Sequence, residues 1–185
     1  MLVLASNSPR RREILTAAGF DFIVRVPNVN EERYPGEAPR DYVERLAEEK
    51  AFAVPWNAGE VILAADTTVV IDEHVLEKPQ DAADASRMLA LLSGRVHEVI
   101  TGICLRADAR VVVDASTTRV RFAELGGAEI AGYVASGEPM DKAGAYAIQG
   151  LASKFIDCIE GCYFNVVGLP VALVYQHLEY FTSSS

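Results

Sequence analysis

In the segment SNSPRRREIL, residues 6–15, three consecutive arginines, Arg10, Arg11 and Arg12, follow a corner of small residues, Ser6, Asn7 and Ser8. Ser8 can cap a helix and Pro9 suits its first position, so the arginines fall in the first turn. Unpaired backbone N–H groups there carry about half a positive charge, and each added cation is disfavoured by roughly 0.3–1 kcal/mol. A bound anion reverses that repulsion. The N–H groups of a strand-to-helix corner and forked guanidiniums are both suited to phosphate oxygens. The chemistry indicated is capture of a phosphate chain, and the alternative is a solvated basic turn that bridges to surface acids. Neither GxxxxGK[ST] nor GxGxxG occurs, so a P-loop and a dinucleotide-binding corner are excluded.

A second stretch, LAADTTVV at 63–70, places Asp66 after the apolar run Val61 to Ala65, where a buried strand is expected to end. A carboxylate beside a triphosphate can hold Mg²⁺ or orient and deprotonate an attacking water, whereas an ordinary turn would use the same residue as a cap. Glu31, in the polar loop Asn28 to Pro39, is a candidate second oxygen ligand, because magnesium needs few protein carboxylates when phosphates and waters complete its shell. Lys50 and Lys78 would supply point charges to the phosphates. Lys78 precedes Pro79, which favours an extended backbone and a side chain projecting from a loop. In GEPMDKAGAYAIQG, residues 137–150, Glu138, Asp141, Lys142, Tyr146 and Gln149 sit among three glycines. A glutamine amide offers both a donor and an acceptor, as the N3–H and O4 edge of uracil or thymine requires. The competing reading is a polar turn that stabilises itself.

These side chains need elements to hold them. Leu2 to Ala5 reads as a buried strand, Pro9 to Ala18 as a helix stopped by Gly19, and Phe20 to Val26 as a strand. Arg40 to Val54 has helical period, with Val43, Leu46, Ala47, Ala51 and Val54 on one face. Lys50 falls on that apolar face, seven residues after Val43 and four after Leu46. Either its ammonium snorkels to water or it is aimed into a cleft. Asp81 caps a third helix that Gly94 ends. Val96 to Leu105 and Val111 to Phe122 form a long hairpin, Gly127 to Ala135 a shorter helix, Phe155 to Ile159 and Tyr163 to Val167 short strands, and Pro170 opens a closing helix. The predicted fold is α/β with a long, mixed and twisted sheet flanked by helices.

The 185 residues fit one domain, spanning 1–185, and a hydrophobic content of 50% is enough for a packed core. The absence of an 18-residue apolar run, together with an apolar strand beginning at Leu2, leads to the expectation of a cytoplasmic protein. Net charge is −9, from 26 acidic and 17 basic residues, which opposes general affinity for nucleic acid or anionic membrane. Phosphate binding must then be local. Cys104, Cys158 and Cys162 lack CxxC spacing and are read as reduced thiols, while His74, His97 and His177 lack metal-ligand spacing.

Six stretches in order, LASNSPRRREIL, RLAEEKA, AADTTVV, EKP, SGRVHEVITG and GEPMDKAGAYAIQG with IEGCYFNVVGLPV, resemble the Maf proteins over nearly the whole chain. The resemblance implies a fold similar to inosine triphosphatase, with the active site in a cleft between two lobes. It also implies hydrolysis of a nucleoside triphosphate to its monophosphate and pyrophosphate with a divalent metal, Mg or Mn, and a homodimer. The family's proton acceptor falls on Asp66, its lysines on Lys50 and Lys78, and its acidic loop residue on Glu31, with Glu32 adjacent. Arg10, Thr67 and Gln149 match the subgroup acting on dTTP and UTP, with modified pyrimidine triphosphates as further candidates. Ser6, Ser8, Arg11 and Lys142 complete the expected substrate-binding set. Departures are Ala147 for a glycine, Glu77 for the glycine before "KP" and Cys162 for a serine; Glu77 adds negative charge beside Lys78. The older description of the family as septum formation inhibitors implies a rival reading, a non-catalytic nucleotide-binding regulator of cell division.

Overall fold

Leu2 to Ala5 is apolar at every position because the strand it forms, β1 (Leu2–Ala5), is central: parallel β2 (Phe22–Val24) pairs on one side and parallel β3 (Val61–Ile71) on the other. The computed structural model describes residues 1–182. The elements that follow are α1 (Pro9–Ala17), α2 (Pro39–Phe52), β4 (His74–Leu76), α3 (Ala82–Leu92), β5 (Val96–Ala107), β6 (Arg110–Phe122), α4 (Gly127–Ala135), β7 (Ile156–Glu160), α5 (Tyr163–Val167) and α6 (Val171–Thr182). Three short 3₁₀ turns lie between α4 and β7. The sheet has the order β2-β1-β3-β5-β6-β7, with β4 antiparallel on β3, and is therefore mixed and α/β as expected. No helix among the described residues is long and apolar enough to cross a membrane.

Two compact units share the chain. The first comprises Met1–Thr67, Thr101–Ser116 and the segment from Gly168; the second comprises Thr68–Ile100 and Thr117–Val167. In the first, α2 lays its small residues Ala47 and Ala51 against Val3, Ala5, Ile62, Ala64 and Cys104. The approach is close enough that a Cβ on Gly102 would stand 2.4 Å from the Val43 carbonyl oxygen, so this strand position requires glycine. In the second unit α3 buries Ala85, Met88, Leu89 and Leu92, while Phe122 and Tyr146 meet the His97 ring edge-on and Phe155 packs between Phe122 and Tyr133.

Two local expectations are corrected. Residues 163–167 form helix α5 rather than a strand. A five-residue, mostly apolar stretch such as YFNVV is ambiguous in sequence. Here the fully buried Asn165 settles it, donating through Nδ2 to the Val99 carbonyl at 2.9 Å and to Thr118 Oγ1 at 3.0 Å. The second concerns Asp66, which does not stand at the end of a strand: β3 runs unbroken from Val61 to Ile71. Thr67 and Thr68 are β-branched and continue a strand as readily as valine.

The edge of the first unit is fastened by Glu60, which is buried and accepts from Arg25 Nη1 at 2.6 Å, Arg25 Nη2 at 2.7 Å and the Asn57 N–H at 2.9 Å. The Arg25 fork, reinforced by Asn57 and opposed by burial, holds the Glu60 carboxyl down at about 2, against an ordinary 4.5. A depressed carboxyl stabilises the fold above its unfolded pKa, and that contribution disappears as pH falls through the folded value. Glu60→Gln is therefore expected to lower Tm at neutral pH, with the gap from the parent protein closing between pH 4.5 and about 2. Thermal melts across that range check it; a gap independent of pH would contradict the assignment.

Candidate active site

Residues 62, 64 and 66 share one face of β3, and α2 covers that face. On α2, Lys50 lies one turn from both Ala47 and Val54 and on their side, so the helical and strand periods together carry its ammonium to the end of the alanine-lined contact. There Lys50 Nζ donates to Asp66 Oδ1 at 2.5 Å and pairs with Glu31 Oε1 at 2.6 Å. Both members of the central pair are buried, Lys50 at 6% and Asp66 at 9% relative exposure, whereas Glu31 is half exposed. Burial pushes the Asp66 carboxyl up from the ordinary carboxylate range, while the charges of Lys50 and Arg11 pull it the other way. The net direction is upward, toward a stronger base.

The neighbouring residue points to the opposite face. Thr67 Oγ1 shares a hydrogen bond of 2.9 Å with Thr101 Oγ1 and accepts from Arg11 Nη2 at 3.2 Å. Arg11 also donates from Nε to the Gly168 carbonyl at 2.8 Å, and from Nη1 to the Ala65 carbonyl at 2.7 Å and Ser6 Oγ at 3.3 Å. This answers the question set by the triple arginine. Arg11 is tolerated in the first turn of α1 because two carbonyls and two hydroxyls solvate its guanidinium, even though burial pushes its pKa down. Consecutive helical positions diverge by about 100°, so its neighbours face elsewhere: Arg10 is half-buried and Arg12 exposed. Ser8 caps α1, its Oγ accepting from the Arg11 N–H at 3.5 Å, and its own N–H donates to Ser6 Oγ at 3.1 Å.

Seven of the residues singled out in the sequence fall into two contact networks within the first unit, Ser6, Ser8, Arg11 and Thr67 in one and Glu31, Lys50 and Asp66 in the other, on opposite faces of β3. Lys78, Lys142 and Gln149 belong to the second. Lys78 is exposed just after β4, Gln149 is exposed in the turn at 147–150, and Lys142 Nζ reaches Asp141 and the Glu138 carbonyl. Sequence reasoning missed Thr101 and the carbonyls of Ala65 and Gly168. The motif SGRVHEVITG contains Thr101, but only the pairing of β3 with β5 shows that its hydroxyl meets Thr67. Backbone carbonyls leave no trace in side-chain chemistry.

Among the described residues no group of three or more His, Cys, Asp or Glu side chains could hold a metal alone. Glu31 and Asp66 nevertheless converge on a single nitrogen. Two carboxylates that meet at one cationic point, one of them half exposed, fit a hard divalent ion that takes its remaining oxygens from phosphates and water.

Comparison with known proteins shows what the whole chain is similar to. The family model described as Maf-like protein matches residues 1–181. A protein of Koribacter versatilis named dTTP/UTP pyrophosphatase is 53% identical over 96% of this chain and 93% of its own. Proteins of the same name from Anaeromyxobacter dehalogenans and Vibrio cholerae are 57% and 51% identical, covering 92% and 97% of this chain and 89% and 97% of theirs. Among solved structures, a HAM1 protein from Coxiella burnetii superposes with a TM-score of 0.51 over 99% of this chain and 98% of that one, at 18% identity, a likeness of fold alone. A family model that matches residues 1–181, with relatives 51–57% identical over more than nine-tenths of the chain, establishes that the chain belongs to the Maf family.

Proposed function

We propose that the protein is a nucleoside triphosphate pyrophosphatase that hydrolyses dTTP and UTP to the monophosphate and pyrophosphate. The observation that carries the reading is the buried Lys50–Asp66 pair in a chain 51–57% identical to proteins named for that reaction. Asp66, made more basic by burial, takes a proton from water as the water oxygen bonds to phosphorus at the α–β anhydride. The bridging bond breaks, and its electron pair leaves with pyrophosphate. Arg10, Lys50 and Lys78 spread the charge of that leaving group. Ser6 and Ser8 shape the phosphate corner, Arg11 holds Thr67 in register beside Asp66, and Lys142 adds a cation. Gln149 reads the pyrimidine edge through its amide.

Glu31 and Asp66 would hold a divalent cation, Mg or Mn, which when bound neutralises phosphate charge. A cytoplasmic location, expected from the sequence, and a homodimer, which rests on the family resemblance, belong to the same proposal. The test is a panel of canonical and modified triphosphates mixed with the purified protein and Mg²⁺ or Mn²⁺. Pyrophosphate together with dTMP or UMP is expected, in preference to products from ATP or GTP. Orthophosphate release, or stoichiometric binding without turnover, would overturn the reading.

A further inference from the structure

The turn that carries Gln149 is held from below by two side chains to which no role has so far been given. Ala147 to Gly150 closes on itself, the Gly150 N–H donating to the Ala147 carbonyl at 3.0 Å, and leaves Gln149 exposed. Each shoulder of the turn is tied down separately. On the near side the Ala147 N–H donates to the Tyr133 hydroxyl at 3.3 Å. On the far side the Leu151 N–H donates to Glu138 Oε2 at 3.1 Å. The two ties are one unit, because the Tyr133 hydroxyl donates to Glu138 Oε1 at 2.9 Å.

Packing enforces the same geometry. A Cβ on Gly150 would fall 2.3 Å from Glu138 Oε1, so the glycine backbone rests directly on the carboxylate. The glycine is required there by proximity, since its φ of −101° is open to any residue. Tyr133 is itself fixed: its ring is buried and meets Phe155 edge-on at 5.5 Å, which pins the hydroxyl to one position. Upstream, Tyr146 is anchored by a 2.8 Å hydrogen bond with His97 Nε2. The turn is therefore a preorganised platform with an exposed tip rather than a free loop.

We infer that Glu138 and Tyr133 are positioning residues for pyrimidine selection: as a clamp under residues 147–151 they fix where the Gln149 amide meets the base. The inference rests on the reading of Gln149 as the base-reading residue. An amide can rotate to match cytosine as well as uracil, so discrimination depends on the backbone holding the amide at a position and distance that suit one edge.

Three variants test it. Tyr133→Phe removes both hydroxyl contacts and keeps the ring packed; Glu138→Gln keeps the shape but sets amide hydrogens against the Tyr133 hydroxyl or the Leu151 N–H; Gln149→Ala removes the reader. Steady-state kinetics are measured with UTP, CTP and a ribose triphosphate lacking a base. Melting curves accompany each variant. The expected result is a KM for UTP raised roughly tenfold in Tyr133→Phe and Glu138→Gln, as for loss of one well-placed polar contact, with kcat little changed. The UTP-to-CTP preference should fall with it, and turnover of the base-free triphosphate should stay at the parent level. A merely structural role would depress all three substrates together, and that outcome overturns the inference. If Gln149→Ala abolishes the preference while the two clamp variants retain it, the clamp is refuted and the base-reading role stands. If Gln149→Ala leaves the preference intact, both fail.

Discussion

Asp66→Asn is expected to lower kcat for dTTP by about 10²- to 10⁴-fold, the range that a positioned general base contributes. The substitution preserves volume, and the amide oxygen can still accept from Lys50 Nζ, so the contact between α2 and β3 survives. The proton acceptor is what it removes. Asp66 sits in the middle of β3 and is buried, and both features argue that the fold holds it in one position. KM should change less than kcat and in the direction of tighter binding, because a neutral amide no longer repels the phosphate chain. That split separates loss of a base from loss of a binding residue. Pyrophosphate release under saturating dTTP, with a melting curve to show that the variant folds, is the measurement. Activity within about twofold of the parent protein would remove Asp66 from the mechanism, since no general base contributes so little.

The Lys50–Asp66 contact was only partly legible in the sequence. Periodicity puts Lys50 on the apolar face of a helix and leaves open whether its ammonium snorkels to water or enters a cleft; its burial and its bond to Asp66 decide for the interior. For Asp66 the sequence suggests chemistry but also a strand end that the structure does not have. Polar side chains in Asp66, Thr67 and Thr68 resemble a break, whereas the backbone continues because Thr67 finds Thr101 as a partner and the apolar run resumes at Val69. Arg11 shows a different limit. Helical geometry predicts that three successive arginines cannot face one ligand. Which of them turns inward depends on the carbonyls of Ala65 and Gly168, 54 and 157 residues away in the chain, and no local pattern contains that information. Caps behaved better: Ser8 and Asp81 each accept the backbone N–H three residues on, as short-range signals should. The sequence of 137–150 is compatible with either a base reader or a self-stabilised loop. Glu138 and Tyr133 make it self-stabilised, and that rigidity is what a base reader needs.

Lys50→Met tests the other half of the pair and is expected to cost both stability and activity. Methionine matches the lysine stem in length and suits a face built of Ala47 and Ala51, so packing alone predicts little change. The charge argument predicts a large one. Without the ammonium, the buried Asp66 carboxylate loses its partner and faces Glu31 with nothing of opposite sign between them. Removing one member of a buried pair costs about 3–5 kcal/mol, because the survivor stays desolvated and uncompensated. Turnover should fall by about 10²-fold or more as well, since a fixed cation beside the leaving pyrophosphate contributes on that scale. The double variant Asp66→Asn with Lys50→Met separates the two effects. It leaves a neutral amide among apolar neighbours, so most of the lost stability should return, and the coupling energy from the cycle should be large and favourable in the parent protein. Activity should not return, because both the base and the cation are gone. Denaturant melts of the four proteins and pyrophosphate assays on the same preparations give both readouts. If Lys50→Met melts like the parent protein, the ammonium is not compensating the carboxylate. If the double variant is no more stable than Lys50→Met alone, lost packing on α2 rather than an unpaired charge is the cause, and the electrostatic account of this site fails.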